Sequence, residues 1–262
     1  DHPDQPSAVR AELPDWLAHE AEGHRPVDRA PPFDLRVNRR KGTREDAMAA
    51  LASCGIEAAP TPYSPVGLRI ASPVRIEHLA PYREGLVEIQ DEASQLAALL
   101  LDARPGMTVI DYCAGAGGKT LALADAMADQ GRLIACDTDA NRLERMKDRL
   151  ARASVSIVEA VVIDGPLDVT ADRVLVDAPC SGSGTWRRHP EAAWRLAPAV
   201  LEAHCARQAA ILSQAAALVR PGGWLAYAVC SILECEGAAQ MGPFLAAHPE
   251  FAVHPVSEAW HT

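Results

Sequence analysis

The chain predicts an α/β protein: a parallel sheet covered by helices on both faces, preceded by a smaller α/β unit. Three observations carry this. From residue 91 onward short apolar runs alternate with helical patterns. A glycine loop joins the first of those strands to its helix at 113–118. Before residue 91 the grain differs, with short strand patterns interrupted by Pro60, Pro62 and Pro65.

In order along the chain, residues 1–34 are polar and proline-punctuated, with a helical pattern at 13–20. A strand at 34–38 leads to Thr43, a helix cap followed by Asp46 where a full capping box wants glutamate or glutamine. A helix at 44–52 ends at Gly55, and strands follow at 56–59 and 68–70. Residues 35–90 thus form one small unit and 91–262 a second. In the second, helix 91–101 precedes strand 108–112, the loop and helix 119–127. Strand 132–137 feeds helix 140–153, whose Leu143, Met146 and Leu150 share one face. Strands at 155–163 and 173–177, helix 199–219, strand 224–231 and helix 236–247 complete the series.

At 48% hydrophobic and 23% charged, the 262 residues can bury a sizeable core. A net charge of -10 argues against a general nucleic-acid coat or a membrane-surface protein. Net charge does not report a local patch, however, and Arg36, Arg39, Arg40, Lys41 and Arg44 fall in a run without acids. Seven scattered cysteines without a CxxC pair read as reduced thiols of a cytoplasmic protein, with neither a disulfide framework nor a metal site. No stretch approaches the roughly 20 apolar residues of a membrane span.

The segment 111–120, Asp-Tyr-Cys-Ala-Gly-Ala-Gly-Gly-Lys-Thr, admits several readings. As a dinucleotide loop it has Thr120 at the third glycine position. As a phosphate loop it matches at Gly118, Lys119 and Thr120 but has Cys113 where the first glycine belongs, and Asp177 would be the magnesium-side acid of an NTPase. It also suits S-adenosylmethionine (SAM), which has no phosphate to cradle, or is a plain tight turn. Asp137 ends the second strand about 20 residues on, where an acid accepts from ribose hydroxyls. That position favours an adenosine-type ligand, leaving NAD and SAM.

Residues 174–190 place Asp177, Pro179 and Cys180 at the end of the fourth strand, then a Ser/Gly loop, then Trp186, Arg187, Arg188 and His189. Trp186 is a candidate to stack on a base and the three cations to meet phosphates. Cys230 ends the fifth strand; if the last two strands are neighbours, Cys180 and Cys230 face one crevice beside the glycine loop. A pair of thiols points to covalent catalysis rather than hydride transfer. The competing reading is two buried structural cysteines.

At these residues the chain resembles the Sun family of RNA cytosine-5 methyltransferases, in particular its RsmB-like members. Segments 35–38, 90–95, 113–120, 177–190 and 227–231 carry the resemblance. It implies a Rossmann-like SAM-dependent methyltransferase domain with a small N-terminal α/β RNA-binding subdomain. It assigns Cys113, Ala114, Gly115, Ala116, Gly117, Gly118 and Lys119 to the SAM loop, Asp137 to the ribose, and Arg142, Asp164 and Asp177 to the same ligand. Cys230 is then the nucleophile, Cys180 the thiol that assists release, and Asp177 and Lys119 act near the base. Arg36, Arg39, Arg40, Lys41, Trp186, Arg187, Arg188 and His189 become the RNA contacts of a monomeric enzyme. Ribosomal RNA is the favoured substrate and tRNA the runner-up; a non-catalytic RNA-binding relative and an NTPase are the other classes. The sequence departs from the family at Cys235, where Asn is usual, and at Ile163, where Gly is usual.

Overall fold

The computed structural model describes residues 13–20, 31–71 and 74–255. Most of the segment 1–34 therefore lies outside the described residues. The chain divides into two compact units, one of Asp1–Pro31, Ala178–Ala216 and Tyr227–Val253, the other of Pro32–Asp177, Ala217–Ala226 and His254–Thr262.

The N-terminal helix α1 (Asp15–Glu20) belongs to the first of these units. The second unit starts with β1 (Phe33–Val37), α2 (Arg44–Ser53), β2 (Ala58–Pro60), β3 (Gly67–Ile70), α3 (Ala80–Arg83) and β4 (Val87–Ile89). These strands form an antiparallel sheet in the order β2-β3-β1-β4, a split β-α-β arrangement. Leu35, Val37, Leu51, Leu68, Ile70, Ile76 and Val87 make its core. Neither α3 nor β4 was expected from sequence, because each is too short to show a period. At the start of α2 the short Asp46 completes the capping box: Thr43 N–H donates to its carboxylate at 2.9 Å and Asp46 N–H donates to Thr43 Oγ1 at 3.1 Å. Those bonds hold the Asp46 carboxyl below its ordinary range.

The second sheet uses β5 (Thr108–Tyr112), β6 (Arg132–Asp137), β7 (Val158–Val162), β8 (Ala171–Asp177) and β9 (Val219–Ala228), ordered β7-β6-β5-β8-β9. The pairs of β5 with β6, β5 with β8 and β6 with β7 are parallel. Helices α4 (Glu92–Leu99), α5 (Gly118–Ala126) and α6 (Ala140–Ala153) alternate with the strands. Val109, Leu123, Met127, Leu133 and Leu175 lie in the core between them. Chain order reverses between β5 and β8, which is where such sheets open a ligand crevice at their carboxyl ends. Strand β9 starts before Pro221, earlier than expected, because Ala171 N–H bonds Leu218 O at 2.8 Å and Arg220 pairs with Asp172.

The other unit carries α7 (Glu191–Arg195), α8 (Pro198–Ala216) and α9 (Met241–Ala247). Its core is Trp186 with Leu13, Leu17, Ala193, Leu201 and Leu233. The helix expected at 236–247 is two 3-10 turns before α9. Gly237, at φ -111° and ψ -108°, breaks the path, and Glu236 is drawn fully inside. Among the described residues no helix is long and apolar enough to cross a membrane.

The basic run is corrected by this architecture. Arg36 is 2% exposed, with its Nε donating to Gln90 Oε1 at 2.8 Å, and is no RNA contact. Arg39 pairs with Asp125 at 2.9 Å, Arg40 with Asp129 at 3.2 Å, and Lys41 Nζ donates to Arg152 O at 2.8 Å. Glu88, nearly buried, closes the same network through Arg152 at 2.6 Å and Arg149 at 3.4 Å. Removing one partner of a buried ion pair leaves the other charge uncompensated. Glu88→Ala is therefore expected to lower unfolding free energy by about 3 kcal/mol in urea titrations; a cost below about 1 kcal/mol would mean that both arginines find water instead.

Candidate active site

Three adjacent parallel strands deliver carboxylates to their carboxyl ends. Asp137 and Asp177 are the last residues of β6 and β8, and Asp111 is the penultimate residue of β5. In register, Tyr112 pairs with Cys136 and Val176, so Asp137 and Asp177 flank the level of Cys113. The structure thus places the loop, Asp137 with Arg142, and Asp177 with Lys119 at one sheet edge, whereas Asp164 makes no hydrogen bond or ion pair with them among the described residues. Each acid finds a different partner. Lys119 Nζ meets Asp177 Oδ2 at 2.6 Å, Arg142 meets Asp137 Oδ2 at 3.1 Å, and Thr120 Oγ1 donates to Asp111 Oδ2 at 2.6 Å. Among the described residues no cation is bonded to Asp111 and its buried Oδ1 has no hydrogen-bond partner. Burial pushes its carboxyl up to about 7.

The loop folds tightly over these acids. Gly115 (φ +56°) and Gly117 (φ +83°) take left-handed backbone, and a Cβ on Gly117 would stand 2.4 Å from Met146 Cγ. Cys113 adopts φ +71°, a strained conformation for a non-glycine residue. Ala114 N–H reaches Cys136 O at 2.7 Å and Gly115 N–H reaches Asp137 Oδ2 at 2.8 Å. Two side chains outside the loop pin its carbonyls: Arg149 Nη1 donates to Ala116 O at 2.7 Å, and Gln90 Nε2 to Gly118 O at 3.1 Å. Lys119 also donates to Ser94 Oγ at 3.2 Å. Burial, then the charges of Asp137, Asp111 and Asp177, push the Cys113 thiol up to about 12. Asp164 lies exposed just beyond β7, and Ile163 N–H bonds Asp137 O at 3.0 Å.

This cradle suits SAM on chemical grounds. SAM is a cation at its sulfonium and carries an ammonium, matching a carboxylate-rich strand edge and the unpartnered Asp111 Oδ1. A triphosphate would meet the same acids as repulsion. The backbone from Cys113 to Lys119, with Asp137, Arg142, Asp164 and Asp177, would hold the group.

The thiols belong to the other unit. Cys180 Sγ and Cys230 Sγ are 3.3 Å apart, with Cys230 exposed and Cys180 half-buried. The hydrogen bond with Cys230, then burial, push the Cys180 thiol well above its ordinary value, with the Cys230 and Glu236 charges in the same direction and the Gly182 N–H opposing them. Cys180 therefore holds its proton. The residue after each cysteine is tied to Glu236: Ser181 N–H donates to Oε1 at 2.8 Å and Ser231 Oγ to Oε2 at 2.6 Å.

Trp186 is corrected here too. It is 1% exposed at the centre of its unit's core, so it cannot stack on a base. Arg188 and His189 are exposed and Arg187 half-buried. The exposed aromatic nearby in sequence is Trp194, at 61%. Sequence reasoning assigned no site role to Gln90, Ser94, Arg149, Ser181, Ser231 or Glu236. Gln90 and Glu236 lie in segments that carried the resemblance or departed from it, which was a usable signal; Arg149, one of many charges on α6, had none.

A doubly wound sheet with a glycine loop after its first strand, an acid ending the second and paired thiols further along defines the Rossmann-like methyltransferase class. Residues 98–260 match the family model described as 16S rRNA methyltransferase RsmB/F, and residues 13–77 match the ferredoxin-like domain of RsmF/B-like methyltransferases. The chain belongs to the RsmB/F family. Ribosomal RNA small subunit methyltransferase B of Pasteurella multocida is 35% identical over 269 residues, covering 93% of this chain and 58% of the relative. Its namesake in Klebsiella pneumoniae subsp. pneumoniae is 36% identical over 230 residues, covering 86% of this chain and 53% of the relative. The chain thus spans little more than half the length of these curated relatives. The crystal structure of PH0851 superposes with a TM-score of 0.88 at 33% identity, covering 95% of this chain and 60% of that one. A methyltransferase homolog protein from Pyrococcus horikoshii gives 0.81 at 27% identity, covering 94% and 83%.

Asp111 yields a pH test. Its folded value near 7 lies above the ordinary 3.8, so the native state binds the extra proton. Stability from this group is complete below about pH 4 and is lost as pH rises through 7. Asp111→Asn keeps an acceptor for Thr120 without a titrating charge. Urea unfolding from pH 5 to pH 8 should show wild type losing on the order of a few kcal/mol relative to this variant; parallel pH profiles would contradict the assignment.

Proposed function

We propose that this chain is the catalytic part of a SAM-dependent RNA cytosine-C5 methyltransferase acting on ribosomal RNA. The observation that carries the reading is the contact between two thiols, Cys180 and Cys230 at 3.3 Å, in a member of the RsmB/F family. The names of the curated relatives support a small-subunit rRNA substrate. Residues 35–90 serve as the RNA-contacting subdomain and 91–262 as the catalytic domain. The exposed Arg188 and His189, with Arg187, supply phosphate contacts. The enzyme works as a cytoplasmic monomer, its seven cysteines free of disulfides.

Carbon-5 of cytosine is a poor nucleophile until a group adds to carbon-6. Cys230, the exposed thiol, makes that bond as a thiolate, and Cys180 lends it a hydrogen bond. SAM, when bound, supplies the methyl group. As the thiolate adds, the ring nitrogen takes up one proton from solvent, and Asp177, steered by Lys119, accepts the hydrogen bond of that N–H. Release then requires loss of the carbon-5 proton before Cys230 leaves. The largest influence that raises the Cys180 thiol is its hydrogen bond with Cys230. Once Cys230 is bonded to carbon-6 that influence is gone, so Cys180 ionises more readily when a proton acceptor is needed.

Incubation with SAM labelled in the methyl group and either small-subunit rRNA or tRNA tests the reading. Wild type should label cytosine-5 of the rRNA; label confined to tRNA would move the substrate, and no label in either would refute the activity. Cys180→Ala is expected to accumulate a protein–RNA adduct stable to denaturing electrophoresis, and Cys230→Ala to form none and turn nothing over. Turnover by Cys230→Ala would reverse the assignment of nucleophile.

A further inference from the structure

Glu236 is fully buried, yet no cation is within ion-pair distance of it among the described residues. Its carboxylate is instead surrounded by donors. Oε1 accepts from Ser181 N–H at 2.8 Å and from Gln208 Nε2 at 3.0 Å; Oε2 accepts from Ser231 Oγ at 2.6 Å and from Ser181 Oγ. Gln208 is itself buried and also donates to Pro179 O at 3.0 Å. These partners come from the two thiol segments: Pro179 and Ser181 flank Cys180, and Ser231 follows Cys230. A hydroxyl bridge repeats the link one step out, with Ser183 Oγ 2.8 Å from Ser231 Oγ and accepting from Ile232 N–H at 2.8 Å. Gly184 N–H closes on Cys230 O at 3.0 Å.

We propose that Glu236 is a positioning residue: one buried carboxylate clasps the residue after each thiol and so holds Cys180 and Cys230 as a single proton-sharing pair. The proposal rests on the reading above that these thiols perform the chemistry. Glu236 itself touches neither sulfur. Both carboxylate oxygens are saturated by donors, which only an acceptor-only group satisfies without reorganisation. Alanine would leave Ser181 N–H and the Gln208 amide without their acceptor in a buried place. Glutamine would do less harm. Its carbonyl can face Ser181 N–H and Gln208, while its amide faces two serine hydroxyls that can rotate to accept.

The test reads the thiol pair without needing methyl transfer. The full chain is equilibrated in glutathione and glutathione disulfide, where two thiols and one glutathione disulfide give one Cys180–Cys230 disulfide and two glutathiones. Acid quenching, alkylation and peptide mass spectrometry measure the fraction closed, hence the effective concentration of the pair. Glu236→Ala should lower that concentration by roughly tenfold or more, and Glu236→Gln by no more than about threefold. SAM binding by calorimetry should be unchanged in both. If Glu236→Ala does not fold, the double variant Ser181→Ala/Ser231→Ala, which removes only the hydroxyl donors, should fall between them. A wild-type effective concentration in Glu236→Ala or in the double variant, or Gln falling as far as Ala, overturns the clasp. Where the variants fold, a rate assay should show kcat falling while KM for SAM holds. Should wild type methylate no RNA although Glu236→Ala loosens the pair, the clasp stands and the methyltransferase reading fails.

Discussion

Three carboxylates at the ends of neighbouring parallel strands set the terms for the rest of the second unit. Asp111, Asp137 and Asp177 are placed by the backbone register of β6, β5 and β8, so their proximity is a property of the sheet rather than of side-chain choice. Like charges so close need separate resolutions. Asp177 takes Lys119, Asp137 takes Arg142 and two backbone N–H groups, and Asp111 is left to hold a proton. The glycine loop is the geometric counterpart, because its left-handed residues turn the chain so that Gly115 N–H comes back onto Asp137. The same acids raise Cys113, so this loop cysteine is chemically quiet although it sits in the cradle.

Cations elsewhere in the unit answer acids of the same unit. The run from Arg36 to Lys41 joins the antiparallel sheet to helices of the parallel-sheet part through Asp125, Asp129 and backbone carbonyls. Arg36 also orients Gln90, whose amide holds the carbonyl of Gly118 at the start of α5. A residue of the small sheet is thus two hydrogen bonds from the glycine loop. The net charge of -10, from 35 acids against 25 lysines and arginines, counts these paired charges with all the others and does not measure the surface available to a polyanion.

The parallel-sheet elements were legible because each is a short apolar run bounded by glycine, proline or charge. Strand β6 and helix α6 occupy the expected residues. Misreadings arose where a side chain's destination, rather than its type, decided the outcome. Trp186 follows a Ser/Gly loop and precedes three cations, the composition of a surface, but packs into the core with Leu13 and Leu17 from far along the chain. Glu236 fits a helical pattern that its buried hydrogen bonds override. Arg36 was counted with its neighbours as a basic patch, but β1 is covered on both faces, and Arg36, on the face opposite Leu35 and Val37, is buried against Gln90 and Asp125. The positions of the loop residues, Asp137 and the two cysteines were readable because each lies at or just after the end of an apolar run; the groups that hold them were not, since a glutamine or an arginine on a helix has no local signature.

The cysteines show how environment divides one residue type into several roles. Cys136, inside β6, is pushed up to about 12 mainly by burial and behaves as a small apolar side chain. Cys113 reaches the same value through burial and three acids. Cys205 and Cys235 pack at the edge of the Trp186 core. The backbone carbonyl of Cys235 accepts from Gln240 Nε2 at 2.9 Å, a contact that does not involve the Cys235 side chain. Cys180 and Cys230 differ from all of these in having each other. When one thiol of such a pair ionises, the remaining proton is shared between two sulfurs, so the thiolate charge of one is stabilised by the S–H of the other. That asymmetry requires the separation to be fixed, and in this fold it is fixed through the serines that follow each cysteine, not through the sulfurs themselves.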